Sequence, residues 1–154
     1  MARVGLIGVG DMGSGLARNL MDSGHELTLF DVREEQLKPF VEDGARAAQS
    51  PRELGEHADF VFVMVMNGAQ IMQIISGDDG LIAGLKPGSI FICTATIERS
   101  ELEAAAEVLT GVGIHVVDAP VSGGAPGAAA GTLTMMVAAE SSVFERVRPV
   151  LDAV

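Results

Sequence analysis

Residues 3–23 leave few folds open to this chain. Arg3-Val4-Gly5-Leu6-Ile7 reads as a buried strand, Gly8-Val9-Gly10-Asp11-Met12-Gly13 follows as G-x-G-x-x-G, and residues 14–23 have helical character. A strand that ends in such a turn and feeds a helix aims several backbone N–H groups, and the positive end of the helix dipole, at one spot. That spot suits a pyrophosphate. Gly8 permits the tight turn, Gly10 lets the backbone approach a phosphate with no Cβ between, and Gly13 lets the helix lie close on the strand. Gly24 stands where a helix C-cap glycine belongs, and residues 25–30 read as the second strand of a βαβ unit.

Asp31 closes that second strand, about 20 residues beyond the motif, where a dinucleotide fold places an acid to accept hydrogen bonds from the adenosine ribose hydroxyls. NAD is therefore the expected cofactor. The same carboxylate would repel the 2′-phosphate of NADP, and Arg33, two residues on, softens that preference. The local alternative is that Asp31 only caps the turn before residues 33–40.

At 154 residues and 48% hydrophobic content, the chain suits one dinucleotide-binding domain, residues 1–154, with a substantial core. A formal charge of −11 argues against a nucleic-acid or anionic-membrane partner, because no basic face would displace phosphate counterions. Any anion site must then be local and built from backbone amides. One cysteine, Cys93, excludes an internal disulfide and fits a reducing compartment, the cytoplasm. Asp11 interrupts the first apolar run before it could act as a signal peptide, and no later run is long enough to span a bilayer.

Residues 33–43 look helical, with Pro39 expected to kink or shorten the helix, and residues 45–48 suit a short third strand. Ser50-Pro51-Arg52-Glu53 is a helix start with a serine cap and proline at the first helical position. Residues 59–66 are apolar after the first, as a strand covered on both faces should be. Asn67 can cap the next helix, whose buried stripe is Ile71, Met72, Ile74 and Ile75. A strand over 89–93, an alanine-rich helix over 98–111 and a strand over 114–118 follow, then the glycine-rich loop 119–124. A late strand over 132–138 and a terminal helix with a capping box from Ser142 to Glu145 complete the chain. Phe144, Val147, Leu151 and Val154 recur at helical spacing and leave that helix apolar to its end. Alternating strands and helices give a doubly wound, mostly parallel α/β sheet of Rossmann type, with its ligand outside the carboxyl ends of the strands.

Four carboxyl-end loops should converge there: residues 8–13, 65–67, 94–97 and 120–124. With the opening VGLIGVGDMGSGLARNL and the block Asp118-Ala119-Pro120-Val121-Ser122-Gly123-Gly124, followed by Gly127-Ala128 and Gly131-Thr132-Leu133, the chain resembles the β-hydroxyacid dehydrogenases. That family includes 3-hydroxyisobutyrate, tartronate semialdehyde and L-threonate enzymes. The resemblance implies that Ser122, Gly123 and Gly124 hold the carboxylate and hydroxyl of a small hydroxy acid. It implies that Thr96 touches the nicotinamide end and that Val65 and Met66 line the cofactor. The chain departs from the family pattern at Met66, where proline is usual, and at Ala95, where serine is usual.

The resemblance further implies a catalytic lysine in a helical second domain, which also supplies the helices of a homo-oligomer. Of the two lysines here, Lys38 belongs to an outer helix and Lys86 to a turn before a strand, at the wrong edge of the sheet. His25, His57 and His115 likewise sit at strand starts or connections. The expectation is thus a cofactor-binding half with its catalytic lysine beyond Val154 and no turnover of its own. A non-catalytic NAD-binding sensor or scaffold, and an imine-reducing relative, are the alternatives. Ser122 lacks the G-x-S-x-G spacing and histidine of a hydrolytic nucleophile, and Cys93 has no neighbouring cation to make it reactive.

Overall fold

The computed structural model describes all 154 residues, Met1 to Val154. Six parallel strands form one sheet: β1 (Arg3–Ile7), β2 (Glu26–Phe30), β3 (Arg46–Ala47), β4 (Phe60–Val63), β5 (Ile90–Cys93) and β6 (His115–Asp118). Their spatial order is β3-β2-β1-β4-β5-β6. The chain winds outward from β1 to β3, returns to lay β4 on the other side of β1, and winds outward again. The connection reverses between β1 and β4, and a crevice opens at that reversal outside the carboxyl ends of the strands. In register, Ile7 lies between Phe30 of β2 and Val63 of β4.

The strands are apolar because both faces are covered, and their two-residue period divides them between two cores. Val4, Leu6, Phe62, Ile90, Ile92 and Val117 meet the layer formed by α1 (Asp11–Asp22), α2 (Lys38–Glu42), α7 (Gly124–Ala130) and α8 (Ser141–Leu151). Ile7, Val61, Val63, Phe91 and Cys93 meet α3 (Pro51–Glu56), α4 (Gly68–Ile75), α5 (Leu81–Gly84) and α6 (Arg99–Gly111). No helix is long and apolar enough to cross a membrane.

Local starts follow the expected chemistry in two places. Ser50 Oγ accepts from Glu53 N at 3.1 Å and Asn67 Oδ1 accepts from Gln70 N at 3.0 Å. At the head of α6, Glu101 Oε2 accepts from Glu98 N at 3.1 Å. Pro39 does shorten its helix: a single 3-10 turn (Glu34–Gln36) precedes α2, with the proline in the first turn.

Elsewhere the structure corrects the reading. Helix α1 begins at Asp11 rather than residue 14, so Gly13 is a helical residue. Strand β4 stops at Val63 instead of residue 66. Met66 N donates to Gln70 Oε1 at 2.7 Å, so a side chain takes the place of a strand partner and the chain turns out over the crevice. The capping box at Ser142 does not form. Glu140 is the N-cap, its carbonyl accepts from Phe144 N at 2.8 Å, and Ser142 lies inside the first turn. The late strand over 132–138 shrinks to β8 (Thr134–Met135), antiparallel to β7 (Val121–Ser122) in a separate ribbon that touches the main sheet through a bridge between Asp118 and Ala138. The helices α5 and α7 were not anticipated.

Helix α7 lies against α1 at backbone distance. A Cβ on Gly15 would stand 2.5 Å from the carbonyl carbon of Ala128, so only glycine permits the approach. Asn19 Nδ2 then donates to Ala128 O at 2.7 Å and ties the two helices together. Since α1 begins in the glycine motif and α7 begins beside Ser122, this contact links the two motif loops of the chain.

Candidate dinucleotide site

The crevice at the reversal has a volume of about 820 Å³. Its floor is the turn from β1 into α1. Gly8 N donates to Phe30 O at 3.0 Å and Met64 N to Ile7 O at 2.8 Å, which holds the turn between its two neighbouring strands. Gly10 is the N-cap of α1 and has no side chain to cap it. The first backbone bond of the helix is Ser14 N to Gly10 O at 2.8 Å, and the N–H groups of Gly10, Asp11, Met12 and Gly13 donate to no other backbone group. Four free donors at the positive end of a helix, with glycine at the point of closest access, suit the diphosphate of a dinucleotide.

Asp31 forms the next wall. It is 7% exposed, and both carboxylate oxygens are held by backbone: Oδ2 accepts from Val9 N at 2.8 Å and Oδ1 from Arg33 N at 2.9 Å. The Arg33 guanidinium lies alongside, with Nε 3.3 Å from Oδ1 and Nη2 3.5 Å from Oδ2. Burial pushes the Asp31 carboxyl upward. The N–H donors of Arg33 and Val9 and the guanidinium together outweigh it and hold the group below the usual carboxylate range. Asp31 is therefore an anion at neutral pH. It caps its own turn, as the local alternative had it, and fastens the glycine loop to the end of β2 as well.

The remaining walls are Met64, Val65 and Met66, then Thr94, Ala95 and Thr96, with Pro51, Gln70, Gln73, Ile74 and Val121 at the margins. Asp11, Asp31 and Arg33 are the charged residues on these walls, and no lysine, histidine or cysteine is among them. An anion in the crevice would thus be met by main-chain dipoles and one guanidinium. Asp11 and Asp31 are the only side chains on this surface that could take up a proton.

Of the residues singled out in the sequence, Gly8, Gly10, Asp11, Met12, Gly13, Asp31, Val65, Met66 and Thr96 do share the crevice. Val9 lies behind the wall, its side chain fully buried and its N–H given to Asp31. Ser122, Gly123 and Gly124 are exposed and stand just beyond the crevice, which Val121 reaches. Gln70, Gln73 and Ile74 were missed as wall residues. They form an i, i+3, i+4 set on α4, beside the fully buried Ile71 and Ile75, and that spacing was the available signal.

Lys38 and Lys86 are exposed and away from the crevice, as the sequence reading had them. His25 and His57 line a separate polar groove of about 540 Å³ at the amino ends of the strands, together with Arg3 and Arg46. Burial and the nearby amino terminus hold His25 below its ordinary pKa, and its Nδ1 accepts from Ala2 N at 3.2 Å. Cys93 is fully buried in β5, and burial raises its thiol, so it is not a thiolate at neutral pH.

A parallel sheet of this order, with an open glycine turn and a buried acid at the next strand end, defines a dinucleotide-binding domain of the oxidoreductase type. The chain belongs to the family of the NAD binding domain of 6-phosphogluconate dehydrogenase, whose sequence model matches residues 3–154, and it is the NAD(P)-binding domain found in β-hydroxyacid dehydrogenases. It is 44% identical to an uncharacterized oxidoreductase of Mycobacterium tuberculosis over 146 residues, 95% of this chain and 49% of that protein. It is 35% identical to the 2-(hydroxymethyl)glutarate dehydrogenase of Eubacterium barkeri over 152 residues, 99% of this chain and 50% of that enzyme. Among solved structures, the Mycobacterium tuberculosis 3-hydroxyisobutyrate dehydrogenase determined with L-serine superposes with a TM-score of 0.92 at 31% identity. That superposition covers 99% of this chain and 52% of the other. The chain spans about half the length of the relatives it matches.

Proposed function

We propose that this domain serves an oxidoreductase that moves a hydride between NAD(H) and a small β-hydroxy acid of the 3-hydroxyisobutyrate, glycerate or threonate type. The observation that carries the cofactor half of the reading is the row of unpaired amides from Gly10 to Gly13 facing a crevice whose next wall is the ionised Asp31. In this reading those amides hold the diphosphate, and Asp31 takes the hydroxyls of the adenosine ribose. Val65 and Met66 flank the cofactor, and Thr96 meets its nicotinamide end. When bound, the nicotinamide supplies the hydride donor or acceptor. NAD is preferred to NADP because a 2′-phosphate would lie against a buried carboxylate.

The substrate half rests on Ser122, Gly123 and Gly124. They stand beyond the Val121 margin, and the Gly15–Ala128 contact joins their helix to α1. The serine hydroxyl and two glycine amides offer a nest for a carboxylate. The crevice walls hold no lysine or histidine, and the resemblance to the β-hydroxyacid dehydrogenases implies an acid–base lysine in a helical second domain that also supplies the helices of a homo-oligomer. This chain alone turns nothing over.

Calorimetric titration of the chain tests the proposal. NAD⁺ is expected to bind, more tightly than NADP⁺, and 3-hydroxyisobutyrate is expected to bind more tightly to the NAD⁺-loaded chain than to the bare one. Binding of NAD⁺ with no effect of the carboxylate would favour a sensor or scaffold module, and absence of binding by either dinucleotide would refute the site.

A further inference from the structure

Between Val63, where β4 ends, and Gly68, where α4 begins, the chain passes the crevice, and Met64, Val65 and Met66 stand on its wall. The near end of this segment is fixed by the sheet, through the bond from Met64 N to Ile7 O at 2.8 Å. Beyond Met64 the sheet gives no further hold. Val65 N and Met66 N have no backbone acceptor, and the Met66 side chain is 83% exposed, so neither a strand ladder nor burial sets the path of the chain there. Gln70 does so instead. Its Oε1 accepts from Met66 N at 2.7 Å, while its own N–H donates to Asn67 Oδ1 at 3.0 Å, so one residue of α4 grips two consecutive residues of the segment. The base of this clamp is firm, because Ile71 and Ile75 of the same helix are fully buried. Helix α6 backs the corner as well: a Cβ on Gly68 would stand 2.6 Å from Glu101 Cδ, so the head of α4 is seated on α6. In a capping box the third helical side chain returns to the N–H of the N-cap, which is Asn67 here, but Gln70 reaches one residue further back. Its bond therefore acts on the crevice wall rather than on the helix end.

We propose that Gln70 is a positioning residue for the dinucleotide, its carboxamide oxygen holding Met66 N so that Val65 and Met66 keep the path in which they flank the cofactor. This rests on the reading of the crevice given above. Without that bond, residues 65 and 66 would be held only through their chain neighbours, and a dinucleotide would have to order them as it bound, with a loss of affinity. Gln70 thus acts through the main chain of Met66, and its effect should exist only where that residue has an N–H to give.

Gln70→Leu tests this, since leucine lacks the acceptor and is a good helix former that retains α4. In hydrogen exchange of the ligand-free chain, the Met66 amide is expected to exchange about tenfold faster in Gln70→Leu than in the unmodified chain. Gln70→Glu, which keeps an oxygen for Met66 N, is expected to restore the slow exchange. In calorimetric titration, Gln70→Leu is expected to weaken NAD⁺ by about fivefold, the size of one neutral hydrogen bond. Within a Met66→Pro background, which has no N–H at that residue, the same substitution is expected to change NAD⁺ affinity by less than about 1.5-fold. An equal loss in both backgrounds would mean that Gln70 touches the dinucleotide itself, and the positioning role would be refuted. Exchange at Met66 that was unaltered by Gln70→Leu, or that stayed fast in Gln70→Glu, would refute it without any cofactor present. If the unmodified chain bound no dinucleotide, the cofactor site would be wrong and the role of Gln70 would fall with it, whereas normal NAD⁺ binding with no loss in Gln70→Leu would overturn the role of Gln70 alone.

Discussion

Gly8→Ala is expected to destabilise the chain by about 3 kcal/mol. Gly8 has φ +93°, a left-handed conformation that costs an L-residue about 1–2 kcal/mol. An alanine Cβ would also stand 2.2 Å from the carbonyl oxygen of Met64. That neighbour is main chain fixed by its own bond to Ile7, so relief requires moving β4 away from β1, at about 1–3 kcal/mol for an overpacked site. The displaced turn also carries the free amides of Gly10 to Gly13, so NAD⁺ affinity should fall at least about tenfold with the loss of their alignment. In thermal unfolding the change corresponds to roughly 6–12 °C for a domain of this size. A Tm and an NAD⁺ affinity equal to those of the unmodified chain would show that the turn tolerates a side chain and does not set the site.

Asp31→Ala is expected to act on binding and stability together. It removes the acceptor for two main-chain donors, Val9 N–H and Arg33 N–H, and the first lies in a fully buried residue. A buried donor left unpaired costs about 1–3 kcal/mol. It also removes the acid proposed for the ribose, and hydrogen bonds to a charged acceptor are worth about 1.5–3 kcal/mol, so NAD⁺ should weaken by about 10- to 100-fold. Asp31→Asn separates the two effects, since the amide oxygen can keep one backbone donor while the charge is lost. If Asp31→Ala strengthened NADP⁺ without weakening NAD⁺, the acid would be a structural cap only.

The parts of the fold that were legible are those whose physics is local. A covered strand is apolar throughout, and Val61, Phe62 and Val63 or Ile90, Phe91 and Ile92 announce themselves. Ser50 and Asn67 announce helix starts because a cap needs a particular side chain at a particular place. Helix α7 was illegible for the opposite reason. Gly124-Ala125-Pro126-Gly127 reads as a loop, and the helix exists because Gly15 and Asn19, more than a hundred residues earlier, receive its far end. Helix α5 has four residues, too few for any periodicity. The late strand read as one continuous run, yet only Thr134 and Met135 pair as a strand, and their partner is the two-residue β7 rather than the main sheet.

For the site, the glycine spacing and Asp31 were visible in order, but Asp31 posed a choice between capping a turn and facing a ligand. The structure shows why sequence could not separate the two: the inner lone pairs of the carboxylate cap, and the outer ones face the crevice. The guanidinium over those outer positions depends on the rotamer of an exposed side chain, which no spacing encodes. The wall residues of α4 are obscured because Ile74 does two things: it packs against the core with the buried stripe and also lines the crevice beside Gln70 and Gln73.

The most direct measurement is a crystal structure of the chain with NAD⁺. The diphosphate is expected within hydrogen-bonding distance of the amides of Gly10 to Gly13, with the adenosine ribose on Asp31. Electron density for the dinucleotide elsewhere, such as the groove lined by Arg3, His25 and Arg46 at the other end of the sheet, with the glycine turn empty, would contradict it.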